Sequence, residues 1–431
     1  MGQTRRLPAP SRAAARRSVS VNQSKPHRLS AYAVFAALLA SAGLPIYIHA
    51  PKFYVDEYGV SLAALGVVLF GLRLLDVIQD PLLGRLSEAL RNHRGLGVLI
   101  GCIVMALSML GLFAMTPLLP PLIWFGLTLT GVFSAFSFLT INFYAQGVTK
   151  AGHLPGQGHL LLARWRETGA LFGVCVAAIT PVILGSFLNA PFVGFAVGFS
   201  ILALVAVAMM RGEWASDGLP NSVGFRAILQ DAIARRLLLI ALVNAAPVAV
   251  SSTLFLFFVE SRLLSPGLEG PLLLLFFLSA AIATPFWGNL AERYETKPVL
   301  LSAMGLAIAA FGGALLLGPG NWVAFAVICI LSGATLGADL TLLPALFAKR
   351  MERIAPSAAE GFGLWSFVSK FTLAFAAVSL LPLLQNAGFD SASADNPPKA
   401  LLLLTLLYAA VPCGLKLIAI TLLAMTDLRE T

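Results

Sequence analysis

The chain has 431 residues, 58% of them hydrophobic and only 11% charged, with a net charge of +9. Soluble globular domains carry about 25% charged residues, so most of this chain is expected in lipid. That excludes a soluble enzyme, and it makes the basic balance a matter of membrane topology rather than of nucleic-acid binding.

In chain order, residues 1–27 hold Arg5, Arg6, Arg12, Arg16, Arg17 and Lys25 without an acid, which reads as a disordered basic tail. Arg16–Arg17 ahead of an Ala-rich stretch imitates a secretory leader. The apolar run continues through Leu44, however, so a retained first span is expected. A crossing helix needs about 20 mostly apolar residues. Twelve stretches qualify, with cores at 29–49, 61–85, 96–115, 119–144, 166–188, 191–210, 236–259, 271–291, 298–317, 321–347, 361–385 and 400–424. The expected organisation is therefore a tail (1–27), a six-helix bundle (28–210), a polar linker (211–235), a second six-helix bundle (236–425) and a short tail (426–431).

Lys and Arg mark the cytoplasmic side of membrane proteins. With the N-terminus inside, the inner segments and tails collect 23 of them, and the outer loops hold three: Lys52, Arg262 and Lys399. The expectation is a multi-pass protein of the cytoplasmic (inner) membrane with both termini cytoplasmic. Tyr47, Phe53, Tyr54 and Tyr58 cluster at the outer end of the first span, as interfacial anchors do. Cys102, Cys175, Cys329 and Cys413 each fall inside an apolar segment and read as small packing residues.

A weak repeat relates the halves. Asp80-Pro-Leu-Leu-Gly84-Arg-Leu-Ser-Glu88 matches Thr284-Pro-Phe-Trp-Gly288-Asn-Leu-Ala-Glu292 at an offset of 204. Two parallel six-span halves are the build of major facilitator transporters: an all-α membrane protein of twelve transmembrane helices in two six-helix bundles related by pseudo-two-fold symmetry.

Charges inside the spans point to a site. Arg73, Asp76 and Asp80 are spaced i, i+3 and i+7 and share one helix face. Two carboxylates in hydrocarbon are costly and repel each other, so they are expected to hold something positive. A Na⁺ would take oxygens from both, whereas a proton would be shared between them. The alternative is an Arg73–Asp76 pair that braces the bundle. Ala280 and Thr284 occupy the matching positions of the second half, so packing alone does not require the acids. Lys370 and Asp339 are buried charges in the eleventh and tenth spans. Lys370 would neutralise a span-2 acid, supply charge when the cation leaves, or bind an anionic substrate; Asp339 would meet substrate, coupling ion or Lys370; Lys416 would snorkel to the membrane surface or pair locally.

Arg73-Leu-Leu-Asp76-Val-Ile-Gln79-Asp80-Pro81-Leu-Leu-Gly84 resembles the second-helix motif of the glycoside–pentoside–hexuronide:cation symporters, the melibiose-permease-like branch of the major facilitator superfamily. Ala163-Arg-Trp-Arg166-Glu-Thr-Gly and Gly363-Leu-Trp365-Ser-Phe-Val-Ser-Lys370 are similar to its fifth- and eleventh-span stretches. The resemblance implies that Asp76 and Asp80 bind the coupling cation (Na⁺, H⁺ or Li⁺) with Gln79 as neutral ligand, and that Lys370 lies near that site. Arg166 matches an Arg that opens span 5. The melibiose permease holds its sugar with carboxylates in helices I and IV; spans 1 and 4 here have no acid. Span 4 offers Ser134, Ser137, Thr140 and Asn142 instead, and Trp365, Trp165 and Trp287 are candidate cavity residues. Gly84, Glu88, Arg91 and Arg94, with Gly288, Glu292 and Arg293, look like the superfamily's cytoplasmic gate loops. The other reading of these loops is positive-inside bias with a tight turn.

No phosphate loop, catalytic triad or metal cluster is visible, so neither an enzyme nor a cofactor is expected, and no metal beyond a Na⁺ at Asp76 and Asp80. The expected function is cation-coupled symport of a sugar or other small metabolite by a monomer whose partners are a small-molecule substrate and the lipid bilayer, with no nucleic acid. The alternative is an anionic or amphipathic, lysolipid-like substrate on the same fold.

Overall fold

The computed structural model describes residues 28–214, 223–390 and 396–428. The expected tail 1–27 lies outside the described residues, as do parts of the linker and of the C-terminal tail. Among the described residues the chain is helix and turn, with no strand.

Twelve crossing units follow in order: span 1 (Leu29–Ser41 with Leu44–Tyr58), span 2 (Leu62–Ala89), span 3 (Arg94–Phe113), span 4 (Pro121–Ala151), span 5 (Gly158–Gly185) and span 6 (Pro191–Met210). After a short helix (Gly224–Gln230) come span 7 (Ala232–Arg262), span 8 (Glu269–Tyr294), span 9 (Thr296–Leu316), span 10 (Trp322–Ile354), span 11 (Ala359–Asn386) and span 12 (Pro398–Ala424). Ten of them are continuous helices long and apolar enough to cross a membrane. Span 2 carries Arg73, Asp76 and Asp80 in its middle.

Span 1 corrects the sequence reading of one continuous helix over 29–49. It breaks at Ala42–Gly43 and restarts at Leu44, with Pro45 in the first turn, where a missing N–H costs nothing. Span 7 starts earlier than expected because the Asp231 carboxylate accepts a hydrogen bond from Ala234 N and caps it. Phe53 and Tyr54 of the outer aromatic group are not a lipid belt. Tyr54 is fully buried and donates to Leu112 O, and Phe53 packs on Phe113 and Phe192 inside the first half.

The same five pairings build each half. Spans 1·5, 1·6, 2·4, 3·4 and 3·6 pack together in the first, and 7·11, 7·12, 8·10, 9·10 and 9·12 in the second. The halves meet mainly through 2·11 and 5·8, which the same exchange interconverts. The pseudo-two-fold is thus a property of the packing as well as of the sequence repeat. Each half has its own apolar core, and a further cluster bridges the halves from spans 4 and 5 to spans 8 and 10. Cys102, Cys175 and Cys329 are buried free thiols and Cys413 is half-buried.

Candidate functional site

Span 2 carries its two acids into the 2·11 interface. Asp76 is 4% exposed and Asp80 fully buried. Lys370 of span 11 reaches both: its Nζ lies 3.1 Å from Asp80 Oδ1 and 3.6 Å from Asp76 Oδ1. It also donates to Ser137 Oγ of span 4 at 2.5 Å, and Ser366 donates to Asp80 Oδ2 at 2.5 Å. Gln79 Nε2 donates to Asp76 Oδ1 at 2.8 Å while its Oε1 accepts from Ser134 at 2.9 Å. Spans 2, 4 and 11 therefore close one polar cluster in which an ammonium sits between two carboxylates. Arg73 stands one turn before Asp76 on span 2, half-buried. A small cation or a proton delivered here would compete with Lys370 for the same oxygens.

Beside the cluster is a cavity of about 370 Å³ between span 4 and spans 7, 10 and 11. Its wall is mixed. Phe136, Tyr144, Phe362 and Trp365 offer rings, and Thr140, Asn244, Asp339, Ser366, Ser369 and Lys370 offer polar groups. Thr140 Oγ1 is buried without a hydrogen-bond partner among the described residues. Trp365 rests on Phe347 with ring centroids 4.9 Å apart. The volume is that of a small-molecule site rather than of a packing defect.

Asp339 does not meet Lys370. It forms a short ion pair with Lys416 of span 12, whose Nζ also donates to Asn244 Oδ1 of span 7 at 2.7 Å. Lys416 pairs locally, as the sequence suggests, but deep in the second half rather than at the membrane surface. Arg166 is buried in the first half, bonded to Glu167 Oε1 at 2.7 Å and lying 3.6 Å over the Tyr144 ring. Its influence on the cavity passes through Tyr144, which also donates to Glu167. Asn142 lies outside the cavity, accepting from Ser87 at 2.8 Å and tying span 4 to span 2.

At the Lys/Arg-rich face the halves are clamped. Gly84 and Gly363 let spans 2 and 11 touch: a Cβ on Gly363 would stand 3.1 Å from Gly84 Cα and 3.2 Å from Asp80 O. Glu88 pairs with Arg91 at 3.2 Å inside the first half. The residue that crosses is Arg94, fully buried, donating to Gln146 and to Ser357 O. In the related corner Glu292 pairs with Arg164 at 3.5 Å, and Arg164 also bonds Asn289 and lies over Gly288. Arg293 is exposed. His159 and Glu352 add a third link across the halves at 2.7 Å. Sequence reasoning passed over Arg164, Glu352, Ser366, Asn244 and Glu167. Only Glu167 had a signal, a lone acid inside span 5 beside Arg166.

The family described as MFS/sugar transport protein matches residues 29–430. No curated protein matches the sequence. Among solved structures, a bacterial homologue of the iron transporter ferroportin in its outward-facing state is similar with a TM-score of 0.67 at 16% identity, covering 92% of this chain and 98% of that one. The E. coli fucose:proton symporter is similar with a TM-score of 0.60 at 14% identity, covering 91% and 98%. At these identities the structures establish the fold alone.

Proposed function

Because the chain belongs to the MFS/sugar transport protein family, a family of multi-pass transporters, we propose that it is a cation-coupled symporter that moves a sugar or other small polar metabolite across the cytoplasmic (inner) membrane by alternating access. The motif from Arg73 to Gly84 supports placing it in the melibiose-permease-like branch. The Lys/Arg-rich face is then cytoplasmic, and the clamp of Gly84, Gly363, Arg94 and Arg164 is a closed inner gate.

The observation that carries this reading is Lys370 lying within ion-pair distance of both Asp76 and Asp80. The site spans the interface that must open. Without the coupling cation Lys370 supplies the positive charge between the two carboxylates; Na⁺, Li⁺ or H⁺ bound to the pair takes over that role and displaces the ammonium. The displaced Lys370 turns towards the cavity it lines. Cation and substrate are coupled because each shifts the same 2·11 contact, and the coupling is reciprocal.

A second reading, an anionic or amphipathic substrate, is favoured by the rings and aliphatic side chains of the cavity wall and by the missing acids of spans 1 and 4. Uptake into liposomes of labelled methyl glycosides, and separately of a lysolipid, under imposed Na⁺ or H⁺ gradients decides between them. Gradient-driven uptake that is abolished in Asp80→Asn supports symport. Unchanged coupling in that variant refutes it.

A further inference from the structure

Asn244 is the one amide side chain on span 7, and it lines the central cavity. Its Oδ1 is committed to Lys416 Nζ at 2.7 Å, and Lys416 is held in turn by Asp339. Lys416 borders a separate hollow of about 70 Å³ inside the second half, behind the cavity wall. Asp339 borders both spaces. An amide whose oxygen points at an ammonium on one side presents its two N–H donors on the other. That other side is the cavity.

The arrangement is expensive. An Asp–Lys pair buried among helices costs desolvation that its attraction does not reliably repay. Asp339 Oδ1 is buried without a hydrogen-bond partner among the described residues. Packing does not demand the pair, because its symmetry-related spans lack one: span 6 and the first helix of span 1 carry no charge, and span 4 only Lys150 near its end. The charged pair therefore holds a donor in a fixed orientation at the wall of the cavity, in the half opposite Asp76 and Asp80.

We propose that Asn244 Nδ2 is a substrate-binding donor, oriented by the Lys416–Asp339 pair, and that this subsite takes a hydroxyl oxygen of a pyranoside. Trp365 in the same cavity offers the flat apolar surface on which a sugar ring packs. The hydroxyl recognition that spans 1 and 4 do not supply with carboxylates then comes from the second half. This inference rests on the glycoside reading above and names a contact for it. Asn244 discriminates by hydrogen bonding; Lys416 and Asp339 are positioning residues.

The test is equilibrium binding to the purified full-length protein, with methyl glucoside, methyl galactoside, methyl xyloside and their monodeoxy analogues as probes and tryptophan fluorescence as readout. Asn244→Leu, close in volume, should weaken the best-binding glycoside about tenfold, the worth of one hydrogen bond. One deoxy analogue should lose as much on wild type and lose nothing further on Asn244→Leu. Asp339→Asn/Lys416→Met, which removes both charges together, should weaken binding of that glycoside while leaving the deoxy analogue unchanged. If Asn244→Leu lowers the melting temperature, Asn244→Ala, which adds no bulk, replaces it. Wild type that binds glycosides while Asn244→Leu binds them equally well overturns the inference and leaves the glycoside reading standing. Wild type that binds none of the probes overturns the glycoside reading and this inference with it.

Discussion

Replacing Lys370 with Met removes the ammonium from between Asp76 and Asp80 and keeps the aliphatic stem. At 3.1 and 3.6 Å and an effective dielectric near 20, each attraction is worth about 5 kcal/mol. The two together come to about 10 kcal/mol, and desolvation of the ammonium and of the two carboxylates, several kcal/mol per ion, offsets most of that sum, so the surplus with which Lys370 competes against a coupling cation is on the order of 2 kcal/mol. That corresponds to a factor of about 30 in affinity. Lys370→Met should therefore bind the coupling cation roughly 30-fold more tightly, while gradient-driven uptake is lost because nothing replaces the cation when it leaves. Isothermal titration of the purified protein with Na⁺, and with H⁺ by pH jump, reads the affinity; liposome uptake reads the coupling. A Lys370→Met protein whose cation affinity is unchanged or weaker would refute the competition on which the mechanism depends.

Gly363→Val should disturb inner closure, since its Cβ would sit 3.1 Å from Gly84 Cα and meet backbone that cannot swing away. Overpacking of this kind costs about 1–3 kcal/mol; thiol labelling of an engineered cysteine on the inner face of span 11 should rise several-fold, and unchanged labelling would count against a gate here. Asp231 caps span 7, and the Arg350 guanidinium, bonded to it at 2.5 Å, holds its carboxyl below the usual carboxylate range. Its folded value is depressed, so its contribution is present above the unfolded value near 4 and fades as pH falls through the folded value. Asp231→Asn keeps a capping side chain but loses the charge paired with Arg350, so it should reduce stability at pH 7 by about 1 kcal/mol, read as a lower melting temperature, and the gap to wild type should begin to close below about pH 4.

Much of the architecture was legible because a bilayer imposes simple rules. Length and apolarity mark each span. The offset of 204 between Gly84 and Gly288 anticipated the pairings that recur in each half. The break after Ser41 was hidden because Gly and Pro are ordinary in membrane helices, and Gly43-Leu44-Pro45 looks no different from a kink. At the site, the shared face of Arg73, Asp76 and Asp80 followed from helical spacing.

By itself, then, the sequence determined that the chain lies in a membrane, how many times it crosses, and that span 2 presents two acids on one face that no polar solvent can neutralise. Only the tertiary structure decided which cation answers which acid. Lys370 is about equally remote in the chain from Asp76 and from Asp80 yet reaches both, while Asp339, nearer in sequence to Lys370, takes Lys416 instead. Spans 11 and 2 cross at Gly363 and Gly84, where the absence of side chains lets the backbones meet, whereas Asp339 of span 10 is reached by Lys416 of span 12 within its own half. Periodicity tells which residues share a face of a helix. Which face meets which neighbour depends on how all the helices pack at once, and so does the orientation of Asn244 at the cavity wall.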